Sequence, residues 1–184
     1  MAEYKATDFS LKENQKAERK LLVTCVNMGD SISAGEGTPK WVPIGVGVED
    51  SAIELNPDSS KTTDILGITE SSVNKLEPTQ SLSPMTVRGG NPLLFKLNDI
   101  QERNALSEFS LFEVMIIKAY IDEGTNEAHA YHAEVHRNCT VIPQSIGGSS
   151  YVDMPVNIDY SNDKILGTVN AYKHNENITF TPNT

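Results

Sequence analysis

The sequence predicts a mainly β, α+β protein: a β-sandwich or barrel-like body with one helix on its flank. Three observations carry that expectation. Short apolar or β-branched runs recur along the 184 residues, divided by clusters of Gly, Pro, Asn, Asp and Ser. Between Val152 and Tyr160 the residues Val152, Met154, Val156, Ile158 and Tyr160 alternate with Asp153, Pro155, Asn157 and Asp159, the period-two pattern of a half-buried strand. One segment, Asn91 to Arg103, carries a helical apolar stripe behind a clear start signal. Many strands and one helix bury their apolar faces most simply as a sheet structure flanked by that helix.

Taken in order, Met1 to Lys20 mixes charges without periodicity and reads as an arm or a short frayed helix. The length suits one further body with a sizeable core, so residues 21–184 are expected to form a single β domain. Leu21 to Val26 is apolar on both faces, as in a strand covered on two sides. A loop of small residues follows, with Gly35-Glu36-Gly37 as a turn signal. In the run Trp41 to Val48, Pro43 argues for an edge or a bulge. Glu49 to Leu55 alternates as a half-buried strand. Asn56-Pro57-Asp58-Ser59-Ser60-Lys61 has no apolar residue and contains a proline, so a hairpin turn in the open is expected there. Thr62 to Leu76 then forms the β-branched return strand. This hairpin has no continuous apolar face. It suits a surface that meets water or other copies of the chain better than it suits a core.

After a linker ending in Gly89-Gly90, Asn91 is a good N-cap and Pro92 sits at the first helical position, where its missing N–H costs nothing. Leu93, Leu94, Leu97 and Ile100 share one face, and Asn104 can end the helix. Leu111 to Ile121 is apolar on both faces and should be a central strand, with a turn over Asp122 to Asn126. Ala128 to Arg137 has helix-favouring residues, yet it stands where the returning strand of a hairpin is needed and is read as strand. Cys139 to Pro143, Lys164 to Tyr172 and Ile178 to Phe180 complete the strands.

Acidic residues outnumber basic ones 25 to 15, giving a net charge of -10, which repels nucleic-acid phosphates and excludes an ordinary nucleic-acid binder. No run approaches membrane-spanning length, and the first twenty residues are too polar for a signal peptide. The expectation is therefore a chain that stays in the cytoplasm where it is made and has no membrane partner. Cys25 and Cys139 are too few for a disulfide framework or a zinc site, and each sits in an apolar run, as a buried thiol does.

Two chemical constellations compete with a non-enzymatic reading. Gly29-Asp30-Ser31 after a strand resembles the nucleophile block of GDSL serine esterases. The histidine base is unsupported, because Ala171 stands three positions before His174 where that family has an aspartate, and Asn162-Asp163 lacks the glycine of the family's Gly-x-Asn-Asp block. A plain glycine loop is the better reading. His129, His132, Glu134 and His136 crowd into one segment. On a helix His132 and His136 could share a metal, but on a strand they lie roughly 13 Å apart, so a solvated strand face or a pH-sensitive contact is expected. No phosphate-binding lysine loop or dinucleotide fingerprint occurs. The chain is read as having no catalytic role, no metal and no cofactor.

Ile53-Glu54-Leu55-Asn56-Pro57, Lys61-Thr62-Thr63-Asp64-Ile65-Leu66-Gly67 and Glu77-Pro78-Thr79-Gln80-Ser81 resemble the central block of bacteriophage major tail (tail tube) proteins, and the likeness runs on through Asn91–Arg103 and the strands ending near Val169. That resemblance implies a tail-tube β fold with a flanking helix and hexameric rings stacked into a hollow tube. It also implies a lumen through which DNA passes without specific binding. The implied partners are further copies, a tape measure protein, and tail terminator and baseplate proteins, with the finished protein in the virion tail. Asp153, Asn157 and Asp159 are then candidates to line an acidic lumen. Asn56, Pro57, Asp58, Ser59, Ser60 and Lys61, together with the arm, are candidates for contacts between rings. A monomeric β-sandwich binding module is the remaining alternative.

Overall fold

The computed structural model describes residues 9–32, 38–48, 50–125 and 128–183. In chain order its elements are β1 (Leu22–Asn27), β2 (Trp41–Pro43), β3 (Ile53–Glu54), β4 (Pro57–Thr63), β5 (Thr69–Leu76), β6 (Thr79–Leu82), α1 (Pro92–Glu102), β7 (Phe112–Asp122), β8 (Tyr131–Pro143), β9 (Val156–Asp159), β10 (Lys164–Val169) and β11 (Phe180–Pro182). This is the mainly β, α+β architecture expected, with a single α-helix among the described residues. Part of the expected arm, the Gly35-Glu36-Gly37 turn signal, Glu49 at the start of one expected strand and Asn126 of the expected turn lie outside the described residues.

The chain gathers into two compact units. The first draws on Met1–Gly45, Phe112–Arg137 and Asp163–Thr184. Its strands run in the order β2-β1-β7-β8-β10-β11. β1 lies antiparallel to β7 with Val23 opposite Ile117 and Cys25 opposite Met115, and β10 lies antiparallel to β8 with Gly167 opposite Ala133. That register puts Cys25, Met115, Ile117, Ala119, Ala133, Val135 and Val169 into one cluster with Trp41 and Ile178. β7 is also buried at Phe112, Val114 and Ile116, which is why its sequence shows no alternation. Pro43 lies in β2, which pairs only with β1 among the described strands, so its missing N–H breaks no ladder. Gly167 is required by close approach. A Cβ there would stand 2.3 Å from the Thr181 carbonyl oxygen and 2.6 Å from the Phe180 ring.

Residues 9–18 form no helix, and Arg19–Leu21 is a single 3-10 turn leading into β1. The far end of this stretch docks on β7. The Ser10 N–H donates to the Tyr120 carbonyl at 2.9 Å, and the Phe9 ring meets Tyr120 edge-on at 5.7 Å.

The second unit draws on Val46–Leu111 and Asn138–Asn162. The C-terminal part of β8 pairs with β9, β9 with β6, and β6 with β3, all antiparallel. Met154, Val156, Ile158 and Tyr160 are buried as the alternation predicts, and Val152 departs from it at 52% exposed. The buried polar groups are paired: Tyr160 Oη donates to Gln80 Oε1 at 2.6 Å, Gln80 Nε2 to Ser51 Oγ at 3.1 Å, and Ser51 Oγ to the Ser81 carbonyl at 2.7 Å. In α1, Asn91 Oδ1 accepts the amide protons of Leu93 and Leu94 at 3.1 and 3.3 Å, and the stripe Leu93, Leu94, Leu97 and Ile100 is buried. Asn104 ends the helix with φ +53, a conformation its short side chain tolerates.

Candidate functional site

The second unit carries a two-stranded sheet, β4 with β5, that no third described strand joins. Every residue of both strands is exposed. The register runs from Pro57 opposite Leu76 to Thr63 opposite Thr69, with an irregularity between Asp58 and Ser59 that leaves Asn74 unopposed. Hydroxyls meet across the pair, Ser60 with Ser72 and Thr63 with Thr69, each at 3.0 Å.

The turn lies at Asp64–Ile68, which corrects the expectation of a loop over Asn56, Pro57, Asp58, Ser59, Ser60 and Lys61. Asp64 Oδ1 accepts the amide protons of Leu66 and Ile68 at 2.9 Å each, and Gly67 takes φ +82. Pro57 to Lys61 are strand. The proline stands at the first strand position, where it removes no ladder bond, and the hydroxyl-rich residues pair across the hairpin. Asn56 sits at the root, with φ +41, its Nδ2 donating to the Glu77 carbonyl at 3.1 Å and to Thr79 Oγ1 at 2.9 Å. The tip is apolar and open: Ile65 is 102% exposed, Leu66 79% and Ile68 58%.

The three carboxylate-strand candidates divide. Asn157 and Asp159 line a cleft of about 490 Å³ with Asp50 and Glu54, so three carboxylates share its wall. Asp153 does not line this cleft. It bridges to Thr86 and Gly147, and its Oδ1 accepts from Thr86 Oγ1 at 2.7 Å.

A second hollow of about 360 Å³ lies beside the start of α1. Val87, Leu94, Phe95, Ile146, Val152 and Met154 line it together with Arg88. Phe95 is 77% exposed because it falls off the buried stripe of its helix. Little in the sequence marks this hollow beyond Phe95, an aromatic outside the apolar stripe of its helix.

Residues of both chemical constellations are tied into hydrogen-bond and ion-pair networks. Glu113 is buried, and its carboxylate accepts from the Ser31 hydroxyl, from Asn27 Nδ2 at 2.7 Å and from the Ile32 N–H at 3.1 Å. The Ser31 hydroxyl therefore donates to a buried carboxylate, whereas the esterase resemblance calls for a histidine base. The His segment is strand as read, but His132 and His136 are buried rather than solvated, which corrects the expectation of a wet face. Glu134, on the same face, lies 3.3 Å from Lys118 Nζ, 3.6 Å from Lys164 Nζ and 3.9 Å from His136 Nε2. Burial alone would raise its carboxyl, but the His136 ring and the two ammonium groups outweigh it and hold the group at about 2. His129 is exposed, pairs with Asp122 and stacks on Tyr131 at 5.1 Å.

No protein-family profile matches the chain, and no curated protein matches it. Among solved structures the chain is similar to one in the sheath–tube complex of an extracellular contractile injection system, PVC, in the extended state. The identity is 14% over 85% of this chain and 94% of that one, with a TM-score of 0.47. It is also similar to a chain of the anti-feeding prophage cap, described as the AFP tube terminating cap, at 12% identity over 86% and 95% with a TM-score of 0.47. A third similarity is to the PVC sheath/tube terminator in the extended state, at 14% identity over 83% and 97% with a TM-score of 0.46.

Proposed function

We propose that this chain is a structural subunit of a tail tube, self-assembling into stacked hexameric rings around an acidic lumen that conducts DNA. The observation that carries the reading is the β4–β5 hairpin. Fifteen strand residues, seven in β4 and eight in β5, are all exposed and joined by no third described strand. An isolated two-stranded hairpin is marginal in water, and its open edges invite further pairing. A hairpin with apolar residues at its tip and hydroxyls along its strands suits burial between subunits.

The net charge of -10 and the carboxylates of the Asn157–Asp159 cleft support an inner wall that DNA slides past without condensing on it. On this reading Asn157, Asp159 and Asp153 face the lumen, while the hairpin including Asn56 to Lys61 and the N-terminal arm touch the next ring. The partners are further copies, a tape measure protein, and terminator and baseplate proteins, with assembly in the host cytoplasm and residence in the virion tail.

Negative-stain microscopy of the purified full chain tests the reading directly. Annular particles or hollow tubes are the expected result. A monomer at millimolar concentration by sedimentation, with no particles on the grid, overturns it.

A further inference from the structure

We infer that the hairpin tip Ile65–Ile68 of one copy seats in the apolar hollow beside α1 of a second copy. The inference rests on the tube reading and names the contact by which copies join.

The two features are complementary in chemistry, an exposed apolar tip and a hollow with an apolar lining. Ile65, Leu66 and Ile68 project three aliphatic side chains into water at the end of a hairpin, an arrangement that loses the free energy of apolar burial unless something covers it. The hollow presents Leu94, Phe95, Ile146, Val152 and Met154 around a volume of about 360 Å³. Since Ile65 is wholly exposed, the tip does not occupy the hollow of its own chain.

Two further observations favour a second copy as the occupant. The tip is preorganised: Asp64 Oδ1 holds the Leu66 and Ile68 amides, and the Gly67 N–H donates to the Asp64 carbonyl at 3.1 Å, so little freedom is lost on docking. The charges also match. Asp64 and Glu70 flank the tip, and the exposed Arg88 is among the residues that line the hollow.

Knob and hole are different surfaces of one chain, so the contact is head-to-tail. Such a contact propagates, closing into a ring or running on as a fibre according to its rotation, and does not stop at a dimer. One seat of this size is smaller than a standard stable interface, so its strength lies in repetition around the assembly.

Disulfide trapping with the full chain tests the inference. Leu66→Cys and Val152→Cys chains are mixed and oxidised, with Leu66→Cys plus Glu102→Cys as the control; the native Cys25 and Cys139 are buried and do not compete. The expected result is a mixed dimer at about ten times the control yield, and a ladder of multimers from a chain carrying both Leu66→Cys and Val152→Cys. Leu66→Asp is expected to keep the parent's circular dichroism melt and to abolish assembly. Rings or tubes without the tip-to-hollow cross-link overturn the inference and leave the tube reading standing. The cross-link without rings or tubes supports the inference and removes the tube reading. A tip-to-tip cross-link in excess, or a Leu66→Asp chain that assembles like its parent, overturns the inference, and a chain that neither assembles nor cross-links overturns both.

Discussion

Ser10 and Asp122 exchange hydrogen bonds: the Ser10 hydroxyl donates to the Asp122 carbonyl at 3.1 Å and accepts from the Asp122 N–H at 2.7 Å. A residue near the N-terminus is thereby tied to the end of the strand at the centre of the first unit's sheet. The bonds are exposed to water, so each is worth at most about 1 kcal/mol. They fasten the Ser10 end of residues 9–20 to β7. Ser10→Ala is expected to speed tryptic cleavage at Lys12, Lys16, Arg19 and Lys20 several-fold, while the urea midpoint of the folded body stays within error. Unchanged cleavage shows that the stretch is held by other means.

The hairpin turn depends on Asp64 and Gly67. Asp64→Ala removes both side-chain bonds to the turn amides, and Gly67→Ala places a Cβ on a backbone at φ +82, a cost on the order of 1 kcal/mol. Because β4 and β5 are exposed throughout, neither change should move the thermal midpoint of the body by more than a degree or two. Both are expected to raise amide exchange along 57–76 and to raise the concentration needed for assembly. A large drop in the midpoint would mean that the hairpin is part of the body's folding unit.

The cluster around Ile117 sets the stability of the first unit. Ile117 is fully buried among Cys25, Met115, Ala133 and Val135. Ile117→Ala is expected to cost about 2–5 kcal/mol through lost transfer energy and the cavity left behind. Urea titration reads it, and a loss under about 1 kcal/mol would mean that the sheet collapses onto the gap.

Glu134 makes the fold acid-sensitive. Its folded-state pKa is depressed from the ordinary 4.5 to about 2, so the stability it contributes is fully present above pH 4.5 and is lost as the pH falls through 2. The difference corresponds to on the order of 3 kcal/mol. Glu134→Gln should lower stability at pH 7, because Lys118 and Lys164 lose their shared counter-charge, and should flatten the stability profile between pH 4.5 and 2. A parent-like acid slope in the variant would place the sensitivity elsewhere.

If the carboxylate cleft faces a lumen, Asp159→Lys replaces a repulsive group with one that binds phosphate. Tubes of this variant are expected to retain DNA at about 50 mM salt and to release it by about 200 mM, by counterion release. Retention identical to the parent at low salt removes Asp159 from the inner wall.

What the sequence disclosed follows from how local each signal is. The helix announced itself because its cap, its proline and its stripe are all set within thirteen residues, Asn91 to Arg103, and the structure uses each of them. β7 is legible as a run with apolar residues on both faces, and β9 by alternation. The turn lies one strand beyond its expected place because Asn56-Pro57 imitates a turn, whereas the true turn relies on one aspartate oxygen reaching two amides, a bond that composition does not reveal. The burial of His132 and His136 was not legible, since it depends on what packs over their face from distant parts of the chain. Asn157 and Asp159 meet Asp50 and Glu54 only through the β9–β6–β3 register, for the same reason.

Cys25 and Cys139 are both inside the protein, and burial pushes the Cys25 thiol well above its usual range. Thiol–disulfide exchange needs a reachable thiolate, and here it finds none. The polypeptide therefore keeps the same covalent connectivity whether it is handled with reductant or in air, and any particle built from it owes its cohesion to surface fit alone.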